Sequence, residues 1–147
     1  MKIFYSQPLS VTLNDEKIFR ANWLRICEGL DYLSNFFTND NLDDPTTLQL
    51  RRELVKKNSL SKNPYELIYQ YNDHQKLIQE ATYPISPMDH LKLDMNLMAS
   101  AKYVILDGKW RLQDEAKVIK AIARTEKIPV LVAVRTRYGN VGFHELK

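Results

Sequence analysis

The spacing of apolar positions changes along this chain, and each change predicts a new element. Lys2-Ile3-Phe4-Tyr5 is a short apolar and aromatic run that stops at Ser6-Gln7-Pro8, the pattern of a buried strand feeding a loop. From Asn14 to about Leu33, the residues Ile18, Phe19, Trp23, Ile26, Cys27, Leu30 and Leu33 recur at steps of three and four, with charged residues between them. That is the period of an amphipathic helix. Cys27 and Trp23 lie on its stripe and are expected in the core.

Three further helices are predicted by one device, a capping residue followed by proline: Asp44-Pro45, Asn63-Pro64 and Ser86-Pro87. Proline is tolerated at the first helical position, where its missing N–H has no intrahelical partner, and the preceding side-chain oxygen accepts from an orphan donor. Glu66 follows Asn63 by three, and Asp89 follows Ser86 by three, as reciprocal capping requires. These signals predict helices over about 45–57, 64–80 and 87–100.

Beyond them the pattern becomes Lys102-Tyr103-Val104-Ile105-Leu106-Asp107-Gly108, a buried strand closed by a turn. A helix over about 113–126 follows, with Ala116, Ile119, Ile122 and Ala123 on its apolar face, and then a second continuous apolar strand, Pro129 to Val134. Strand, helix, strand is a βαβ unit, and it places the chain in the α/β class with a mostly parallel sheet of four to five strands. Arg137-Tyr138-Gly139-Asn140 predicts a turn that returns residues 141–146 as an antiparallel edge strand. A further strand is expected near 81–85. The helical, polar stretch over about 35–80 is expected to be an insertion packed on the sheet, with a lid as the lesser alternative.

With 147 residues, 44% hydrophobic and 27% charged, the chain can bury one ordinary core, so a single domain over 1–147 is expected. The single cysteine, Cys27, excludes an intramolecular disulfide framework and is too few thiols for a thiolate metal centre. No apolar stretch approaches the roughly 20 residues that span a bilayer, and the N-terminal one is short for a signal peptide. A soluble, cytoplasmic protein with no membrane partner is expected. The net charge of +3 is too small to identify a nucleic-acid binder, although residues 102–147 hold 10 basic and 5 acidic residues. Nucleic acid is therefore an unfavoured partner.

In an open parallel sheet, ligands sit beyond the carboxyl ends of the strands. Here those ends supply Ser6 and Gln7 after the first strand, then Asp107, Gly108, Lys109 and Trp110, leading into a helix at Gln113, Asp114 and Glu115. Lys109, Arg111 and the helix N-terminus suit a phosphate or carboxylate, and Trp110 suits either stacking on a base or covering the sheet end. Asp94 falls between Leu91 and Met98 on an apolar helical face, where desolvation raises a carboxyl pKa towards general-acid work unless backbone N–H groups hold it. His74, His90 and His144 are scattered in sequence, no metal-ligand spacing or cofactor motif occurs, and there is no Gly-x-Ser-x-Gly elbow or Walker sequence.

Three segments resemble the nucleoside 2-deoxyribosyltransferase-like family, including its nucleotide N-hydrolase branch and related small phage and bacterial proteins. KIFYSQPLS is similar to that family's K-I-Y-I-S-G-P-M-T strand and loop. SPMDHLKLDMNLMASAKYVILDGKW is similar to its helix with a central aspartate and the strand ending in G-W. WRLQDEAKVIKAIARTEKIPVL is similar to its last helix and strand. The resemblance covers about half the chain and implies a flavodoxin/Rossmann-like three-layer sandwich, often oligomeric, that cleaves or exchanges the N-glycosidic bond of deoxynucleosides or their monophosphates. Asp94 matches a family carboxylate. The family's attacking glutamate falls on Ile119, its helix-initiating serine and glycine fall on Gln113 and Glu115, its first-strand tyrosine on Phe4 beside Tyr5, and its loop glycine on Gln7.

Isoleucine cannot attack an anomeric carbon, so the leading expectation is a member of this fold that has lost the chemistry. It would act by binding a nucleotide-like ligand or a protein partner, with Ser6, Gln7, Asp94, Asp107, Gly108, Lys109, Trp110 and Gln113 as the ligand site. The alternatives are an active glycosidase, with Asp94 as general acid and Glu115 or Asp114 in place of the glutamate, and a nucleic-acid-binding module using the basic C-terminal third.

Overall fold

The computed structural model describes residues 1–35, 44–58 and 64–147. In chain order the elements are β1 (Lys2–Ser6), α1 (Leu9–Asn14), α2 (Glu16–Asn35), α3 (Pro45–Asn58), β2 (Glu66–Ile68), α4 (Tyr71–Glu80), α5 (Pro87–Met98), β3 (Tyr103–Leu106), a 3-10 turn (Trp110–Leu112), α6 (Asp114–Thr125), β4 (Val130–Arg135) and β5 (Val141–Glu145). The strands form one sheet in the order β2-β1-β3-β4-β5, parallel except for β5, which runs antiparallel on the β4 edge. This is a Rossmann/flavodoxin-like α/β sandwich, as expected.

Strand alternation builds two cores, because successive side chains point to opposite faces. Ile3, Tyr5, Tyr103, Ile105, Leu131 and Ala133 meet Ile26, Leu30 and Leu33 of α2 and Leu50 and Leu54 of α3. On the other face Phe4, Val104, Leu106, Val130 and Val132 meet Met98 of α5 and Ala116, Ile119 and Ala123 of α6. Ile119 is fully buried there. Cys27 and Trp23 are half-buried at the margin of the first core, whereas Ile18, expected on the same stripe, is 47% exposed.

Two of the proline-marked helices start as their caps predict. Ser86 and Asp89 form a reciprocal capping box at the start of α5, and Asp44 Oδ1 accepts from the Thr47 N–H at 2.7 Å at the start of α3. The other Asp44 oxygen accepts from the Glu145 N–H, which ties α3 to β5.

Three expectations are corrected. The helix over 64–80 is instead β2 followed by α4: Glu66, Leu67 and Ile68 pair in register with Lys2, Ile3 and Phe4. Leu67 and Ile68 then face the two cores, a gain that helical propensity does not offset. β2 lies within the stretch expected to be a helical insertion, so that stretch also supplies the outer strand of the sheet. The Asn63 side of the expected cap lies outside the described residues. Residues 81–86 form no strand; they bend between α4 and α5, with Tyr83 exposed. The loop after β1 holds a short helix, α1, whose Val11 and Thr12 N–H groups both donate to the Pro8 carbonyl. Its six residues are too few to show a period.

Ile119→Glu places a carboxylate among the apolar side chains of the second core, and a loss of more than about 3 kcal/mol is expected. A urea unfolding midpoint equal to that of the unaltered chain would show that position 119 is not packed as described.

Candidate ligand-binding site

The chain moves outward from β1 to β2 and then returns past β1 to β3, so the strand order reverses between β1 and β3. Loops leaving those two strands part in opposite directions, and the gap left at their carboxyl ends is a crevice. A cleft of about 740 Å³ opens there, lined by Tyr5 and Pro8 from the β1 end, Asn22, Arg25 and Ile26 from α2, Asp107, Gly108 and Lys109 from the β3 end, Ala133, Val134 and Arg135 of β4, and Val141 of β5.

Local chemistry fixes the floor. Asp107 Oδ1 accepts the Lys109 N–H at 2.8 Å and the Asp107 carbonyl accepts the Trp110 N–H at 3.0 Å, which turns the chain directly after β3. A Cβ at Gly108 would lie 2.9 Å from the Ala133 carbonyl oxygen, so glycine is needed for the loop to lie against β4. The Tyr5 hydroxyl points at Asp107 Oδ2 across 3.5 Å. Burial first, and then the Asp107 carboxylate, push the Tyr5 pKa far above its ordinary value against the opposing pull of Arg25, so the phenol keeps its proton. The walls thus present three cationic side chains, Arg25, Lys109 and Arg135, against one carboxylate. Among the described residues none of the three stands in an ion pair.

Of the residues expected at a ligand site, Asp107, Gly108 and Lys109 line this cleft and the others do not. Ser6 is buried and follows Tyr5, so its side chain points to the opposite face of β1. Gln7 is buried at the joint of α1 and α2: its Nε2 donates to the Phe19 carbonyl at 3.1 Å and its Oε1 accepts from Asn22 Nδ2 at 3.1 Å. It therefore orients a cleft residue without lining the cleft. Trp110 is packed in the second core with Arg111 and Lys120 over its ring, and so covers the sheet end. Gln113 is buried, and its Oε1 has no hydrogen-bond partner.

Glu115 Oε1 accepts the Leu9 N–H at 2.9 Å, holding the first turn of α1 against the start of α6, while Asp114 is fully exposed. Asp94 is 3% exposed, as the apolar face predicts. Its partner is not backbone: His74 Nε2 lies 2.6 Å from Asp94 Oδ1. Burial holds the Asp94 pKa above its ordinary value, with His74 pulling the other way.

Sequence reasoning did not single out Asn22, Arg25 or Arg135. Asn22 and Arg25 are three apart beside the core residue Ile26, and Arg135 ends β4, so strand-end position and helical spacing were the available signals. The proximity of His74 to His90 and Asp94 had no such signal, because the contact joins two helices.

Fold and cleft together define a doubly wound α/β protein with a cation-lined crevice at its switch point. No protein-family model, curated protein or solved structure matches the chain. Among the described residues no helix is long and apolar enough to cross a membrane, and no group of three or more His, Cys, Asp or Glu is arranged to hold a metal ion.

Glu115→Ala removes the acceptor of the Leu9 N–H. A loss of about 1–3 kcal/mol is expected, with faster amide exchange concentrated in α1. Unchanged stability and exchange would mean that the carboxylate does not hold the helix.

Proposed function

We propose that this protein binds a nucleotide-like small molecule in the switch-point cleft and does not cleave it. The observation that carries this reading is the wall composition: Arg25, Lys109 and Arg135 surround a crevice whose volume lies within the usual range for small-molecule sites. Arginine and lysine suit a phosphate, the arginines through a bidentate fork. The protonated Tyr5 hydroxyl and Asn22 are donors for sugar or base, and Asp107 is an acceptor for a ligand hydroxyl. The resemblance to the nucleoside 2-deoxyribosyltransferase-like family supports a nucleotide over other anions.

Binding without cleavage is supported by what stands where that resemblance requires a nucleophile. Ile119 is buried and apolar, Glu115 is engaged by Leu9, and Asp114 faces solvent. The carboxylate that does line the cleft, Asp107, accepts from the Lys109 N–H and faces the Tyr5 hydroxyl, so a covalent glycosyl route has no free carboxylate to begin it.

Calorimetric titration with deoxynucleoside 5′-monophosphates, with the matching nucleosides as controls, tests the reading. Monophosphates are expected to bind more tightly than nucleosides, and more weakly as salt rises. Lys109→Ala and Arg135→Ala are each expected to lower affinity by about tenfold, or ~1.4 kcal/mol. No heat from any monophosphate at millimolar concentration would overturn the binding reading. Free base released above a heat-killed control would overturn the non-catalytic one.

A further inference from the structure

α4 and α5 meet through a polar cluster that lies outside the cleft. His74 is the only fully buried residue of α4, and it faces His90 and Asp94, both buried on α5. His74 Nε2 lies 2.6 Å from Asp94 Oδ1, and His74 Nδ1 lies 2.8 Å from His90 Nδ1. The two rings stack with centroids 5.0 Å apart and planes 24° apart.

The number of protons on this cluster is constrained by its geometry. Two ring nitrogens at 2.8 Å require that one carry hydrogen and the other present a lone pair. With Asp94 ionised and accepting from His74 Nε2–H, two neutral rings meet the requirement when His90 donates its Nδ1–H to His74 Nδ1. One added proton also meets it: His74 becomes an imidazolium that donates to Asp94 and to His90, and the cluster becomes electrically neutral. A second added proton puts N–H groups on both Nδ1 atoms, aimed at each other, and leaves net positive charge in a buried place.

Burial acts in the same sense. It holds the His90 pKa below its ordinary value, helped by His74 and opposed by Asp94 and Asp89. It also holds that of Asp94 above the ordinary carboxylate value, opposed by His74 and His90 and reinforced by Glu115 of α6. Burial thus opposes a charge on His90 and favours a proton held next to the Asp94 carboxylate, in line with the limit that the 2.8 Å ring contact sets.

We propose that His74, His90 and Asp94 form an acid-sensitive latch between α4 and α5, closed while they share one proton and opened by a second. α4 is the element released, because His74 is its one buried side chain, while its other ties gather at its start and first turns: Gln70 Nε2 to Thr12 Oγ1 at 3.3 Å, the Tyr71 ring against Phe19, and Gln75 Nε2 to the Leu13 carbonyl at 3.4 Å.

The direction follows from linkage. His90 binds a proton less well folded than unfolded, so its contribution to stability is complete above the ordinary histidine value of 6.5 and is lost as pH falls below it through the folded value. Asp94 runs the other way: its contribution is complete below the ordinary value of 3.8 and is lost as pH rises through its folded value. The first proton therefore favours the closed cluster, and loss of the latch belongs to the second, on the acid side of the histidine range.

Amide hydrogen exchange at about pH 7.5 and about pH 5, corrected for the intrinsic pH dependence of exchange, tests the latch. In the unaltered chain, protection of α4 is expected to fall at least about tenfold at the lower pH relative to α6. In His90→Asn, which keeps a polar group near the Nδ1 position and cannot take the second proton, the α4-to-α6 ratio is expected to stay constant. A constant ratio in the unaltered chain, or an equal fall in His90→Asn, would overturn the proposal. Should His90→Asn fail to fold, ring-nitrogen NMR of the unaltered chain decides, with the exposed His144 as reference. Doubly protonated His74 and His90 in a chain whose α4 is still protected would refute the latch; coincident protonation of the pair and loss of α4 protection would support it.

Discussion

Every residue of β3, from Tyr103 to Leu106, is buried, and four of the five residues of β1 beside it are buried too, so water is excluded from both faces at the centre of the sheet. Parallel strands cannot be joined by tight turns, and a strand apolar on both sides needs helices over both of its faces. The chain meets both demands by sending α2 and α3 over one face and α5 and α6 over the other. The change of face forces the strand order to reverse between β1 and β3. The crevice at that reversal is a geometric consequence of burying the central strands.

The joints between the layers are made by single polar side chains reaching across long stretches of sequence. Gln7 bridges the β1 exit to α2, Glu115 pins the start of α1 to α6, Asp44 caps α3 and holds β5, and His74 joins α4 to α5. Each satisfies groups that would be costly to leave unpaired away from water. Several residues whose types suggested chemistry are therefore engaged in holding elements together. Glu115 of the last helix is used in this way, while Arg25, Lys109 and Arg135 in the cleft wall stand in no ion pair among the described residues.

Charge distribution follows the same architecture. Of the basic residues of 102–147, Lys109 and Arg135 reach the cleft, while Arg111 and Lys120 lie over the Trp110 ring.

The sequence by itself determined the class of fold, because runs such as Tyr103-Val104-Ile105-Leu106, the stripe through Ala116, Ile119 and Ala123, and the Asp44-Pro45 and Ser86-Pro87 starts act within a few residues of themselves. It also placed Asp107, Gly108 and Lys109 at a strand end, and Asp94 and Ile119 on buried faces. Tertiary structure alone decided the rest. Glu66-Leu67-Ile68 became a strand because β1 offered it a partner and both cores took its side chains, a gain that no local signal carries. Arg25 and Arg135 came to line one cleft because α2 packs against β5, the strand paired with β4. The two histidines, sixteen positions apart, came within hydrogen-bond distance because α4 and α5 pack together at one level. Short-range patterns decide which elements exist; which side chains converge depends on packing between elements distant in sequence, and on that the chemistry of the site depends.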